Sequence, residues 1–305
     1  MATKEKSALK IGKHVVTITN RKKIYWPEEG FTKGNVIDHY DKLADHILPH
    51  LKGRCLSLKR NPNGINDKGF YHKDAGENAP LYVEVFKVKS ESSNKIIDYI
   101  VCNNKATLLY VANLGCIEIN PWNSTTKKPG YPTWMAIDID PSDKNKFTEV
   151  VDTALAVKMV LDKAGISCYC KTSGASGLHV YIPLRNKYDY ITVRHFAHII
   201  ASLVQEQLPE ITTLERSLHK RGPKIYIDYL QNSAGQTLAS VYSLRPVAGA
   251  SVSTPLEWKE VNHQLSPQQF TLENIFRRVT KKGDLFSPVL NDSNSIQKAL
   301  KALKV

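Results

Sequence analysis

The chain has 305 residues, 42% of them hydrophobic, which is enough for a sizeable core in one large domain or two small ones. Its formal net charge of +13 points to a polyanionic partner, with a solvated basic surface as the plain alternative. No apolar run reaches the roughly 18 residues of a membrane span, and Cys55, Cys102, Cys116, Cys168 and Cys170 form no CxxC pair; without a secretory signal this argues against a paired-cysteine zinc site and for a reducing cytoplasm.

In chain order, the polar stretch MATKEKSALK reads as a frayed end and HVVTIT (14–19) as a strand. A basic loop, NRKKIYWPEEGFTKG, follows. Val36, Tyr40, Leu43, Ala44 and Ile47 fall at helical spacing over 35–48, with Pro49 limiting that helix. CLSLKR (55–60) alternates as a strand, NPNGINDKG is a turn-rich loop, and residues 81–90 and 96–102 form a hairpin across ESSN. TLLYVANLGCIEI (107–119) fits a helix or a strand. After Pro121 the pattern changes to strand WMAIDID, helix 147–165 stopped by Gly165, strand ISCYCK with Cys168 and Cys170 on one face, turn TSGASG, strand LHVYIPL, helix 191–207 ended by Pro209, and strand KIYIDYL (224–230). That order predicts an α/β sandwich, a mixed or antiparallel sheet with helices on one face. Residues from Gln268 onward read as helical and accessory.

WMAIDIDP (134–141) carries the chemistry. Alternation sends Ile137 and Ile139 to the core and Asp138 and Asp140 to the other face, about 6.6 Å apart as two strand rises. Two carboxylates on one rigid strand repel unless a cation lies between them, and a pair of divalent ions fits such a site. The plain alternative is a solvent-facing edge with two ordinary aspartates. IYIDY adds Asp228 opposite its isoleucines; if its strand neighbours the first, three hard oxygen ligands converge, a set suited to Mg²⁺ or Mn²⁺. In KTSGASGLHVYIP the two glycines let backbone N–H groups approach an anion, with Ser173, Ser176 and His179 as further donors; otherwise it is a plain glycine-rich hairpin. No GxxxxGK[ST] Walker loop is present. Lys220, Arg221 and Lys224 precede Asp228, RKK (21–23) and Lys33 flank Trp26, and Phe70-Tyr71 stand beside His72 and Lys73. Aromatics among cations can stack bases while the cations hold phosphates, or can be core packing beside a solvated loop.

Taken as an ordered set, TWMAIDIDP, KTSGASGLHVYIPL, KIYIDYLQN and VYSLRPVAGASVSTPLEW resemble the polymerase domain of bacterial ligase D, in the archaeo-eukaryotic primase superfamily. TITNRKKIYWPEEGFTKG and ANLGCIEINPW fit it too, so the resemblance covers roughly residues 14 to 290. It implies a primase-type α/β fold, an RRM-like mixed or antiparallel catalytic sheet wrapped by an N-terminal α/β unit. The whole of 1–305 would be one primase-polymerase domain, with sub-regions 14–125, 126–260 and a helical 261–305. It implies template-directed nucleotidyl transfer: (ribo)nucleotides added to DNA 3′ ends, gap filling and end processing in non-homologous end joining.

Carried over by position, Asp138, Asp140 and Asp228 are the ligands of two Mn²⁺ or Mg²⁺ ions, and NTP or dNTP is the substrate. Ser173, Ser176 and His179 meet the triphosphate. Gln231, Arg245 and Asn120 bind the nucleotide. Lys23 and Lys33 form the pocket for a 5′-phosphate, Phe70 and Tyr71 the template platform, and Arg221, with Lys220 beside it, belongs to a loop that helps join two DNA ends. The implied partners are DNA ends or a gapped duplex with a 5′-phosphate, Ku, and an ATP-dependent ligase domain, since the chain has no adenylating KxDG motif of its own; no membrane is implied. Two positions depart from the pattern. Ser176 stands where some members have lysine, which lowers the expected grip on the triphosphate, and Asn120 stands where some have histidine, which bears on sugar selection. The rival readings are a catalytically silent nucleic-acid-binding module of the same fold, and a nuclease or DxD glycosyltransferase.

Overall fold

The computed structural model describes residues 6–90 and 95–305. The chain forms two compact units interleaved in sequence: Met1–Trp122, Thr237–Val252 and Thr271–Thr280 make the first, and Asn123–Gln236, Ser253–Phe270 and Lys281–Val305 the second. Residues 237–252 therefore belong to the first unit, although the segments on either side of them in sequence belong to the second.

The first unit holds strands β1 (Lys6–Ile11), β2 (His14–Thr19), β3 (Ile24–Trp26), β4 (Phe31–Thr32), β5 (Leu56–Arg60), β6 (Phe70–His72), β7 (Glu84–Lys89), β8 (Ile96–Val101) and β9 (Cys116–Pro121), and helices α1 (Lys33–Lys42), α2 (Ala44–Leu51) and α3 (Lys105–Asn113). Its sheets are small: β6-β5-β9, and the pairs β1-β2, β3-β4 and β7-β8. The hairpin expected across ESSN is β7-β8, and the link itself lies outside the described residues.

Several local expectations need correction. Lys6–Ile11 is not frayed; its backbone is paired residue for residue with β2. The basic loop is the hairpin β3-β4, anchored by the fully buried Trp26, whose indole N–H donates to Val247 O at 2.7 Å. The single helix over 35–48 is two helices broken at Leu43 (φ −98°, ψ 8°), and Pro49 lies inside the second, two residues from its end, where few bonds remain to lose. Residues 107–119 are both helix and strand, α3 and β9, separated by Gly115 at φ +80°. Phe70 and Tyr71 lie in a strand rather than a loop.

The second unit holds β10 (Trp134–Asp140), α4 (Phe147–Lys163), β11 (Tyr169–Thr172), β12 (Leu178–Pro183), α5 (Tyr190–Gln207), β13 (Thr212–Thr213), α6 (Leu218–Arg221), β14 (Ile225–Asp228) and β15 (Pro255–Leu256). After α7 (Ile275–Lys282), most of which belongs to the first unit, α8 (Pro288–Asn291) and α9 (Ile296–Leu303) close the second. The sheet order is β13-β14-β10-β12-β11-β15; all pairs are antiparallel except β13 with β14. This is the mixed sheet that the element order predicts. Val150, Ala154, Val157 and Leu161 of α4 and Val193, Phe196, Ile200 and Val204 of α5 share one core with Ile137, Ile139, Val180, Ile182, Ile225 and Ile227, and Cys168 and Cys170 lie in it as expected. Ile296 and Ala299 of α9 are in the same core, so the C-terminal segment is more than accessory. All five cysteines are free and buried. Among the described residues no helix is long and apolar enough to cross a membrane.

Candidate active site

One face of the second unit's sheet is filled by α4 and α5. The side chains that strand alternation turns to the other face fall into a transverse row. Asp138 on β10 pairs with Asp228 on β14 to one side and with His179 on β12 to the other, and His179 pairs in turn with Lys171 on β11. His179 Nε2 lies 3.3 Å from Asp138 Oδ1. Asp228 accepts hydrogen bonds from the Leu230 backbone N–H (2.8 Å) and from Gln231 Nε2 (2.9 Å), and Gln231 Oε1 is buried with no donor among the described residues. Two residues along β10, Asp140 Oδ2 takes a hydrogen bond of 3.1 Å from Arg221, whose guanidinium also lies 4.3 Å from the Tyr226 ring centre.

The carboxylates feel one another. Burial holds the Asp140 carboxyl above the usual carboxylate range, the charge of Asp138 adds to this, and the Arg221 hydrogen bond opposes it. Asp228 is raised by burial and then by Asp138, against the hydrogen bonds from Gln231 and Leu230 N–H. Two carboxylates that resist ionisation because they are buried, and further because a third stands beside them, are a donor set that a hard divalent cation relieves. With each aspartate engaged by a protein donor, no three His, Cys, Asp or Glu side chains converge on one point among the described residues. The residue types, their shared face and their electrostatics nevertheless suit hard cations.

The turn beside this row is built by its glycines. Gly174 has φ +75°, a region that L side chains avoid. A Cβ on Gly177 would sit 2.2 Å from the Ile139 backbone oxygen, so only glycine lets the turn press onto β10 between the two aspartates. Ser173 is buried; its Oγ accepts from Ala175 N–H (3.1 Å) and Gly177 N–H (3.0 Å) and so shapes the turn from inside. Ser176 is exposed at the tip, and Lys220 is exposed on α6 next to the buried Arg221.

The other expected site residues belong to the first unit. Lys33 N–H donates to Lys23 O (2.8 Å), bringing the two lysines together across β3-β4. Lys33 Nζ donates to Thr19 Oγ1 (3.0 Å) and Lys23 Nζ to Asn63 Oδ1. Burial, then the neighbouring charges of Lys23 and Arg60, lowers the Lys33 ammonium to about 8. Phe70 and Tyr71 on β6 are 47% and 60% exposed, with Arg60 over the first ring and Lys59 over the second. Lys59 pairs across the sheet with Tyr71 on one side and Glu118 on the other, and Glu118 binds Arg245 at 2.8 Å. Asn120, on β9 two residues beyond Glu118, is buried and donates to Ser57 O (3.2 Å).

A family model described as "LigD, primase-polymerase domain" matches residues 32–286. The chain belongs to this family. It is an enzyme of the nucleotidyltransferase, polymerase-primase class. It is 34% identical to the bifunctional non-homologous end joining protein LigD of Bacillus subtilis over 87% of this chain and 42% of that protein. It is 28% identical to the multifunctional LigD of Mycolicibacterium smegmatis over 91% of this chain and 36% of that one. The chain thus spans less than half the length of these relatives. The solved polymerase domain from Mycobacterium tuberculosis ligase D, in complex with DNA, superposes with a TM-score of 0.84 at 27% identity, covering 92% of this chain and 99% of that one. The primase-type fold expected from the sequence motifs is the fold of the chain.

Sequence reasoning missed Lys171, Lys59, Arg60 and Glu118 as members of these clusters. The signal for Lys171 was present: in YCKT a lysine alternates with the core residue Cys170, on a strand where a charge has no plain reason to be. Lys59 and Glu118 carry no such mark, because only the pairing of β5 with β9 brings them together.

Proposed function

We propose that the chain extends DNA 3′ ends by template-directed nucleotidyl transfer, filling gaps and processing ends in non-homologous end joining, with NTP or dNTP as substrate. The observation that carries the proposal is the register that sets Asp228, Asp138 and His179 side by side on one face of three adjacent strands. Asp138, Asp140 and Asp228 would hold two Mn²⁺ or Mg²⁺ ions. Divalent cations bound there acidify the primer 3′-hydroxyl and neutralise charge on the triphosphate and the departing pyrophosphate.

The chain's own groups do the rest. His179 donates to Asp138 or to a phosphate from a fixed place in the row, and Ser176, exposed at the tip of the Ser173–Gly177 turn, is assigned to the triphosphate with Ser173. Gln231 orients Asp228 and keeps an acceptor for the incoming nucleotide. Arg245 and Asn120 are assigned to the nucleotide, Phe70 and Tyr71 to the template base, and Lys220 to the DNA backbone. Lys23 and Lys33 are assigned to a 5′-phosphate across a gap. Arg221 binds Asp140 in the structure and, with Lys220, is assigned to the loop that would help join two DNA ends. A ligase domain and Ku are the partners that the reading calls for.

The test is primer extension on a gapped duplex with a 5′-phosphate, each NTP and dNTP supplied separately with Mn²⁺ or Mg²⁺, beside Asp138→Ala/Asp140→Ala. Template-matched addition, lost in the variant, is the expected result. Tight DNA binding with no addition by the unaltered chain would leave the silent binding module in its place.

A further inference from the structure

At the end of the catalytic sheet away from the aspartates lies a second cationic surface that the polymerase reading does not use. It is made by the loop 125–131 before β10 and the turn 184–187 after β12. The two segments meet at the start of β10, where Thr133 O accepts from both Leu184 N–H (2.7 Å) and Arg185 N–H (2.8 Å). Lys127, Lys128, Arg185 and Lys187 are all exposed, and Tyr131 is 45% exposed among them. Among the described residues no carboxylate pairs with any of the four cations. Two aspartates lie near by and bind elsewhere: Asp189 caps α5 by accepting from Thr192 N–H, and Asp292, beside the Asn291 carbonyl that Arg185 binds, accepts from Tyr169 OH.

The surface is held rigidly, unlike an ordinary run of solvated lysines. Ser124 Oγ donates to Pro129 O (2.9 Å) and is itself tied to Tyr190 OH (3.0 Å). Lys128 N–H and Tyr131 N–H close two turns within the loop. Asn186 Nδ2 donates to Tyr131 O (2.7 Å), clamping the turn to the loop, and both Arg185 (φ 52°) and Asn186 (φ 55°) are kept in the left-handed region. Two segments held together in this way carry four like charges, which repel until an anion joins them. A preorganised cationic face with an exposed ring is what a single-stranded polynucleotide needs: charges that track its backbone and a surface on which a base stacks.

We infer that Lys127, Lys128, Arg185, Lys187 and Tyr131 form an accessory site for single-stranded DNA, such as the overhang of a broken end. Trp134, at the start of β10, is four strand rises or about 13 Å from Asp138, so a strand held here is out of reach of the reacting atoms and serves as an anchor. The inference rests on the reading of the chain as a DNA enzyme, and the extension assay on the unaltered chain judges that reading separately.

The experiment is fluorescence anisotropy of the full chain with labelled oligothymidylate of about 12 nucleotides, a size in the range of single-strand sites, across a series of salt concentrations. A duplex of the same length and polyglutamate are the comparison ligands. In Lys127→Gln/Lys128→Gln/Lys187→Gln the slope of log affinity against log salt should fall by about 2, at roughly 0.7 per lost phosphate contact. Tyr131→Ala should weaken oligothymidylate binding about tenfold with little change on the duplex, and Tyr131→Phe should restore it. These substitutions are at exposed side chains, and an unchanged thermal transition would exclude misfolding. A slope unchanged in the lysine variant overturns the site. So does a loss as large on duplex as on single strand with no effect of Tyr131, and so does a loss confined to polyglutamate, which would mark the surface as a dock for an acidic protein.

Discussion

Each compact unit carries a transverse row of polar side chains across adjacent strands, and the two rows differ in kind. In the second unit Asp228, Asp138, His179 and Lys171 cross four strands of a sheet whose other face is filled by α4 and α5. In the first, Tyr71, Lys59 and Glu118 cross a three-stranded sheet, with Arg245 bound to Glu118. The acidic row is largely buried, and burial, with the charge of Asp138 beside it, holds the Asp228 carboxyl above its ordinary range. The aromatic-cationic row is open on one edge, where Phe70 and Tyr71 face solvent. Chemistry needs fixed geometry and low dielectric; holding a template whose bases change needs accessible faces and tolerance.

Removing the charge at the centre of the acidic row breaks this contrast most sharply. Asp138→Ala should lower incorporation by on the order of a thousandfold or more, the scale of losing a fixed charge aimed at the reacting atoms, while DNA affinity stays close to that of the unaltered chain. Extension and anisotropy measured on one preparation decide it, and retained polymerisation would remove Asp138 from the site. Gly177→Ala tests the same row without touching a charge. Its Cβ would meet the Ile139 carbonyl, so the turn must lift from β10. A displacement near 1 Å is expected to cost about a hundredfold in incorporation. A fall in thermal stability with unimpaired turnover per folded molecule would mean that the glycine serves packing alone.

How much of each row can be seen in the sequence follows from the same contrast. Period-2 alternation in WMAIDID and IYID puts each aspartate opposite its isoleucines, so the face could be read before any neighbour was known. That Asp228 stands directly across from Asp138 depends on β14 pairing with β10, a long-range choice that no local pattern records. The polar row of the first unit was legible only at Phe70-Tyr71. Lys59 and Glu118 look like ordinary strand charges, and Arg245 arrives from a segment that returns to the first unit between β14 and β15 of the second unit's sheet. The break at Leu43 and the hairpin around Trp26 were missed for a related reason. Trp26 is fixed by a carbonyl more than two hundred residues away, which turns a polar-looking loop into an anchored element.

The open row should respond more mildly and in binding first. Tyr71→Ala and Phe70→Ala are each expected to weaken affinity for a templating overhang by about 1–3 kcal/mol, the range for one stacked base, with turnover at saturating DNA reduced less. Titrating a recessed duplex with and without its overhang separates the two, since equal loss on both substrates would take the rings off the template.

The smallest effect concerns the lysine pair of the first unit and is set by pH. With its ammonium lowered to about 8, Lys33 is charged at pH 7 and largely neutral at pH 9 in the free protein. A 5′-phosphate has its second pKa near 6 and is a dianion throughout that interval, so the change in attraction comes from the protein side. Binding the phosphate favours the charged lysine. Affinity for a phosphorylated gap should therefore be nearly full at pH 7 and decline by a few-fold as pH rises through 8 to 9, with a proton taken up on binding at the higher pH. The unphosphorylated gap supplies the baseline, and Lys33→Arg, which stays charged over the whole interval, should flatten the profile. A decline of equal size with and without the phosphate would mean that Lys33 is buried for the sake of α1 and Thr19, and that Lys23 meets the phosphate alone.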